Sequence, residues 1–516
     1  MKALRATGVG LLGLFLGACA VGPNYHEPRN DAPAAFASAP AEQSPAMASD
    51  QRVDLSRWWL SFNDPELNSL IERAVHANPD VEIALTRLQE VRQQEAMLIG
   101  GALPEAAASV AAGKGTGSDA TRAGALPPLR AGDNKGNLPQ VRQVAGFAAS
   151  WELDLFGGYR RAIQAGRYDV RAAAAARSAV LIGVISDVAR NYVDLRGQQQ
   201  RLIILRGNID SAKQSRDFEQ ARFDRGLTNE YDLQLAIREY ETLLGELPLL
   251  QSEITSTRYR IAVLLGQYPE NLASELSAVG KLPELPQSVQ AGLPLELLKR
   301  RPDVTVAEDQ LAVATEGIGV VTAALFPQVA LDGGIGTQSG TIGMHGTHIW
   351  DFGPSLYWPL LDFGTLDAKV NIADLQAHEQ LVAYKKTIIG AVEDADEAIA
   401  SYGAQTQRLD NLVQAMNASA RAVELAQKRY NRGLTDFLNV VDAERQEYAI
   451  EADYTTAEQS AADALIYLYR ALGGGWENYQ DIPRIRLPEP AAIAMFRRLL
   501  SNNDPQQRSG PMQPGP

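Results

Sequence analysis

Apolar and polar positions recur along this chain with two distinct periods, and each period marks a different kind of element. Leu366, Val370, Ala373, Ala377, Leu381, Tyr384, Ile388, Ala391, Ala395, Ala398 and Tyr402 form one stripe, ten steps over 36 residues, close to the α-helical period. Such a stripe is a packing face. It predicts a helical stretch of roughly 69 residues over 364–432. A second rhythm runs from Ala145: Ala145, Phe147, Ala149, Trp151, Leu153 and Leu155 alternate with Gly146, Ala148, Ser150, Glu152 and Asp154. Trp350, Phe352, Leu356, Trp358 and Leu360 repeat it against Asp351, Gly353, Ser355 and Tyr357. Period-two alternation over about ten residues with aromatics at the ends predicts a membrane β-strand. A half-buried strand of a soluble sheet carries the same period.

The two rhythms occur twice because the chain is duplicated. RFDRGLT at 222–228 meets RYNRGLT at 429–435, an offset of 207. Trp151 and Trp358, Phe156 and Phe363, and Leu265 and Leu472 keep that offset, whereas Pro79 and Pro302, and Pro104 and Pro327, stand 223 apart. The first half therefore carries sixteen extra residues between Pro104 and Trp151, in a stretch of loop composition expected to face outside the cell. Each half predicts a helix of roughly 24 residues (79–102; 302–325), two short strands, and a helix of roughly 69 residues (157–225; 364–432). Gly226 or Gly433 stops the long helix, and Thr228 or Thr435 is expected to cap a further helix of roughly 38 residues. Pro248 is expected to kink that helix in the first half or lengthen its neighbouring bonds.

Length then gives architecture. About 69 helical residues make a rod of roughly 100 Å, and the two shorter helices placed end to end give roughly 93 Å. Each half supplies two columns of nearly equal height, which suit a hollow barrel or a coiled-coil stalk. Four strands cannot close a membrane barrel, since the smallest bacterial ones have eight, and open edges are forbidden in lipid. Strands that enter a membrane here require an oligomer.

The chain of 516 residues is 45% hydrophobic and 21% charged, the composition of an ordered protein. Its net charge of -14 argues against a nucleic-acid partner, which would call for a basic stripe. Lys2 and Arg5, then the apolar run 9–16, then Leu16-Gly17-Ala18-Cys19, read as a cleaved leader with a lipidation site at Cys19. Cys19 is the only cysteine, so no intramolecular disulfide can form. Its other reading is a buried free thiol. Ala20, not aspartate, follows it, which favours the outer membrane by resemblance to sorted lipoproteins.

Five motifs stand in order: GPNYHEP at 22–28, WWLSFNDPELNSLI at 58–71, Asn78-Pro79-Asp80, LLKRRPDVTVAE at 297–308, and RGLTDFLNVVDAERQEY at 432–448. Together they resemble the outer-membrane efflux protein family, the TolC-like channels, and within it the NodT-type lipoproteins of tripartite RND pumps. The resemblance implies a mainly α protein with a membrane β-barrel, a trimer with four β-strands and four helical columns per subunit. It implies a homotrimer working with a periplasmic adaptor and an inner-membrane RND transporter, anchored in outer-membrane lipid, without a cofactor. A protein-secretion duct and a scaffold without a pore are the alternative readings. The expected divisions are a signal peptide (1–18), a lipid-anchored segment with an equatorial part (19–78), a first repeat (79–267), an equatorial linker (268–301), a second repeat (302–474) and a C-terminal segment (475–516).

In the family the aspartate at the place of Asp442 narrows the pore, and the arginine at the place of Arg445 belongs to a polar network latching the helix pair. Asn439 stands one turn earlier, where some relatives have a second aspartate. Asp232 occupies the repeat position of Asn439, and Leu235 that of Asp442. The plainer reading of Asp442 is a solvated helix residue. No enzyme is expected. Asp351-Phe352-Gly353 and Asp362-Phe363-Gly364 lack the other kinase motifs, His378-Glu379 lacks the second histidine of a zinc pair at Val382, and His345 and His348 flank a Gly-rich turn.

Overall fold

A computed structural model describes residues 20–29, 33, 35–38, 54–115, 140–272, 274–286, 299–339 and 347–480. Seven α-helices and four strands are described. They are α1 (Pro65–Ala77), α2 (Pro79–Gly101), β1 (Glu105–Gly115), β2 (Gln140–Leu153), α3 (Gly158–Phe223), α4 (Glu230–Leu264), α5 (Pro302–Ala323), β3 (Gln328–Ser339), β4 (Thr347–Tyr357), α6 (Thr365–Asn431) and α7 (Leu438–Ala471). The duplicated plan is visible element by element: α2, β1, β2, α3 and α4 recur as α5, β3, β4, α6 and α7.

The long helices α3 and α6 are the expected rods, about 100 Å each at 1.5 Å per residue. The shorter helices meet end to end beside them. Asn78, which caps α2 by accepting from the Asp80 and Val81 amides, donates its Nδ2 to the Leu264 carbonyl at the end of α4 (2.8 Å). At the equivalent place Arg301 donates Nη1 to the Ala471 carbonyl at the end of α7 (3.1 Å). Leu264 and Ala471 are 207 apart and Asn78 and Arg301 are 223 apart, so one joint is built twice with different side chains. A second matched pair ties the upper helix to the sheet: Trp151 Nε1 donates to Ala102 O and Trp358 Nε1 to Leu325 O, both at 3.1 Å.

The α6 stripe packs as expected. Ala373, Ala377, Tyr384, Ala391, Ala395 and Ala398 are buried, and alanines let α5 and α7 approach closely. A part of α3 is long and apolar enough by composition to cross a membrane. There, Leu181, Ile185, Val188, Ala189 and Val193 are instead sealed in the largest core, against Trp58, Trp59, Phe62 and α1. Asp64 places that lid. It caps α1 through the Glu66 and Leu67 amides and accepts a 2.7 Å bond from the Tyr192 hydroxyl of α3.

Three local expectations change. Asn229, not Thr228, caps α4, because its side chain reaches the Asp232 amide while Thr228 donates to the Asp232 carboxylate instead. α7 begins three residues after Thr435, with Phe437 at the cap position and no side-chain cap bond. Strand β2 ends at Leu153, before Leu155, where the chain turns into α3. Helix α4 runs as one element across Pro248. Gly226 and Gly433 take φ of 70° and 69°, and each turn closes with a bond from the next residue's amide back to Arg222 or Arg429.

Candidate functional site

The strands form one antiparallel sheet in the order β1-β2-β3-β4, so the two hairpins are joined through β2 and β3. The register aligns Ala108, Phe147, Ile335 and Trp350 across all four strands, and likewise Ala106, Ala149, Gly333 and Phe352. These rows share a face that carries the sheet's large apolar side chains, with Phe352 78% and Trp350 77% exposed. The opposite face carries Glu105, Ser150, Asp332 and Asp351. Ser150 and Ser355 each donate a hydroxyl to the Asp332 carboxylate (2.7 and 2.6 Å). One apolar face, one hydrated face and a pleat that keeps them apart are what a membrane strand requires. Edge strands β1 and β4 have no partner on their outer sides within this sheet.

The other site is the tip, where α3 turns into α4 and α6 into α7. Val440, Val441 and Phe437 pack on Ala236, which fastens α7 to α4. This leaves Asn439 and Asp442 on the outward face of α7, both exposed in the single chain. Asn439 Nδ2 reaches only the Asp436 carbonyl at 3.4 Å. Arg445 lies across the α4–α7 seam, its Nε 3.6 Å from Glu239 Oε2. Burial pushes the Glu239 carboxyl up, with Arg445 opposing that rise. Asp232 is absorbed by its own turn, bonded to Thr228 and capped from Asn229. Thus Arg445 stands beside Glu239 across the α4–α7 seam, Asp442 is exposed in the single chain, and Asp232 serves the turn.

Sequence reading missed the best-buried part of the tip. Glu219 of α3 is fully buried and accepts from the Tyr430 hydroxyl of α6 (2.8 Å). The Arg222 guanidinium lies 4.7 Å over the Tyr430 ring, with Nη1 3.7 Å from Glu219. Burial and then the Glu219 bond raise the Tyr430 hydroxyl, so it stays a donor. Glu444, also buried, accepts from Gln427 Nε2 (3.2 Å), and burial raises its carboxyl. A clue lay in the repeat. Tyr430 stands where the first half has Phe223, and Glu219 where the second has Ala426, so two new polar groups face each other across the halves.

Cys19 and His345 lie outside the described residues. His348 is an exposed strand residue, and both Asp-Phe-Gly tripeptides are structural: one lies in β4, and the other starts α6 with its phenylalanine 98% exposed. Among the described residues no group of three or more histidine, cysteine or acidic side chains is placed to hold a metal ion.

The comparisons agree with this geometry. A family model described as outer membrane efflux protein matches residues 70–267 and 293–474, one segment per repeat. Nodulation protein T of Rhizobium leguminosarum bv. viciae is 29% identical over 485 residues, covering 93% of this chain and 95% of its own length. Outer membrane protein OprJ of Pseudomonas aeruginosa is 28% identical over 475 residues, covering 92% and 96%. The solved structure of the outer-membrane channel OprN is 33% identical, covers 89% of this chain and all of its own, and superposes with a TM-score of 0.79. With its duplicated hairpins, its two-faced sheet and both matched segments in register, this chain belongs to the outer membrane efflux protein family.

Proposed function

We propose that three copies of this chain form the exit duct of a tripartite efflux pump. Twelve strands close a barrel in the outer membrane, and twelve helical columns extend through the periplasm. The observation that carries this is the sheet, which has one apolar face and two unpaired edges. Lipid excludes such edges, and four strands are half of the smallest bacterial barrel. The helices support the same reading. Helix α5 packs on both α3 and α6, whereas α2 packs chiefly on α3. Helix α6 leaves Ile372, Leu375, Val382 and Ile389 exposed, a stripe with no cover in the single chain. Repeat symmetry assigns that stripe to α2 of the next copy. The duct is a passive conduit, not an enzyme. The partners are a periplasmic adaptor at the tip and an inner-membrane RND transporter, and the cargo is small molecules. The longer stretch between Pro104 and Trp151, of which 116–139 lie outside the described residues, is expected to face outside the cell, and the segment boundaries are those read from the sequence.

Conductance of the purified trimer in a planar bilayer tests this reading, and absence of a conducting pore would leave a scaffold. Asp442 is the gate residue. A threefold axis brings three exposed carboxylates together, and their mutual repulsion favours cation binding. Asn439 adds a neutral ring one turn away, and Arg445 holds α7 against Glu239. Asp442→Ala is expected to raise single-channel conductance and weaken block by divalent cations without loss of trimer. Unchanged conductance in an assembled variant would return Asp442 to the solvated surface.

Cys19 carries the anchor. Several acyl chains together with a barrel hold far more firmly than one chain, which gives only marginal binding. Mass spectrometry of the mature N-terminal peptide is expected to find an acylated Cys19 as the first residue. An unmodified thiol, or cleavage elsewhere, would refute the lipid anchor.

A further inference from the structure

The N-terminal segment is seated in a built site. Arg161, at the top of α3, is 3% exposed, and four of its contacts converge on one place. Its Nε donates to Val21 O (3.1 Å), and Nη2 to Gly22 O (3.1 Å) and to Asn24 Oδ1 (2.9 Å). Its Nη1 donates to Glu316 Oε2 of α5 (2.8 Å), and Glu316 is fully buried. A buried arginine and glutamate are costly unless every donor is used. Here three of the four bonds are spent on residues 21–24, so the strap supplies most of the partners of the buried guanidinium. The Val21 amide in turn donates to Phe156 O (3.0 Å). Lower down, Tyr25 donates to Glu308 and meets the Tyr168 ring edge-on, and Phe36 is buried against α6 and α7.

The seam is shaped for the strap by missing side chains. A Cβ on Gly22 would lie 2.5 Å from Gly319 Cα, and one on Gly157 would lie 2.7 Å from Ala20. The internal duplication provides the control. The repeat positions of Arg161, Glu316 and Gly319 are Ala368, Gln93 and Ala96, so the pair and the glycine are absent from the other half. Gly364 matches Gly157 with the same φ of 82°, yet nothing lies within 4 Å of its Cβ position. The difference is a recognition site present in one repeat only.

We propose that the α3–α5 seam is a specific binding site for the chain's own residues 20–24. Arg161 is its positioning residue, and docking holds the segment that follows the acylated residue at the junction of β2 and α3. What residue 19 carries rests on the lipid-anchor reading, but the docking itself does not. The site delivers the lipid to one fixed point per subunit at the base of the sheet. Strap docking is therefore independent of acylation, and acylation without Arg161 leaves the strap loose.

A nitroxide on His26→Cys reads this in the detergent-solubilised full chain. His26 is exposed and adjoins the docked Tyr25, and acylation blocks the only other thiol. The label is expected to be immobilised in the acylated protein and equally in Cys19→Ser. It is expected to lose its immobile component in Arg161→Met/Glu316→Leu, which removes both buried charges and so preserves the fold. Asn24→Ala, which alters the strap alone, is expected to shift the spectrum the same way by a smaller amount. A mobile label in Cys19→Ser with Arg161 intact would show that lipid, not the seam, holds the strap. An immobile label in the assembled double variant would equally overturn the proposal. Neither result bears on whether Cys19 is acylated, which mass spectrometry decides separately.

Discussion

Phe352→Arg is expected to abolish the outer-membrane trimer. Phe352 stands in the apolar rows of the sheet, its ring 3.1 Å from the place a Cβ would take on Gly333. An arginine on the lipid face costs roughly 2–4 kcal/mol near the bilayer midplane. Assembly by three copies incurs that cost three times, once for each subunit. Asp351→Asn is the matched control one residue away. Asp351 shares the opposite face with Asp332, so losing its charge leaves lipid contact unaltered. The measurement is the amount of heat-dissociable trimer in outer-membrane fractions. Normal assembly of Phe352→Arg, or loss of trimer in Asp351→Asn alone, would mean that the two faces have been assigned the wrong way round.

Arg301→Ala is expected to be the most destabilising change at the joint between α5 and α7. The Arg301 side chain is 11% exposed and is shared among three elements. It donates to Asp303 at the start of α5 (3.0 and 2.7 Å), to Asp394 of α6 (2.8 Å), and to the Ala471 and Ala391 carbonyls. Asp303 and Asp394 are 45% and 44% exposed, so water partly screens the charges left behind, and the loss is expected to fall below the ~3–5 kcal/mol of a fully buried pair while still including the bonds to two carbonyls. Arg300, its neighbour, pairs with Glu477 at 3.2 Å but is 40% exposed. Arg300→Ala is expected to cost about 0–1 kcal/mol, as exposed pairs do. Arg301→Lys is expected to recover only part of the loss, since one ammonium cannot bond Asp303 through two nitrogens. Denaturant midpoints of the three variants check the ranking, and equal midpoints for Arg300→Ala and Arg301→Ala would refute it. Acid adds a further check. Burial opposes it, but the Arg301 bonds prevail and hold the Asp303 carboxyl below the usual range. Its contribution is therefore complete above the unfolded value of about 3.9 and is lost as pH falls through the lower folded value. That acid-side loss is expected to vanish in Arg301→Ala.

The sequence by itself determined the element plan, because period and repeat are local properties of the chain. The stripe from Leu366 to Tyr402 could only be a helix face, and the alternation around Trp151 and Trp358 could only be strands. The offsets of 207 and 223 placed the extra residues in one loop. End-to-end stacking of the short helices followed from lengths alone, and the Asn78 and Arg301 joints bear it out. The motifs were enough to name the family. Local chemistry was read less well where two groups compete for one amide. Thr228 and Asn229 both suit a cap, and only the path of the turn selects Asn229. The tertiary structure alone decided what depends on residues far apart in sequence. The β2–β3 pairing joins strands whose partners, such as Phe147 and Ile335, are separated by the whole of α3, α4 and α5. Glu219 looks like an ordinary surface glutamate until Tyr430, 211 positions later, closes over it. Arg161 sits among the polar residues opening a long helix, and nothing nearby marks it as buried. Its burial comes from Glu316 and from a strap 140 residues upstream. Periodicity reports which face of an element is turned inward, but a charged side chain is buried only when distant segments supply its partners, and no local pattern encodes that.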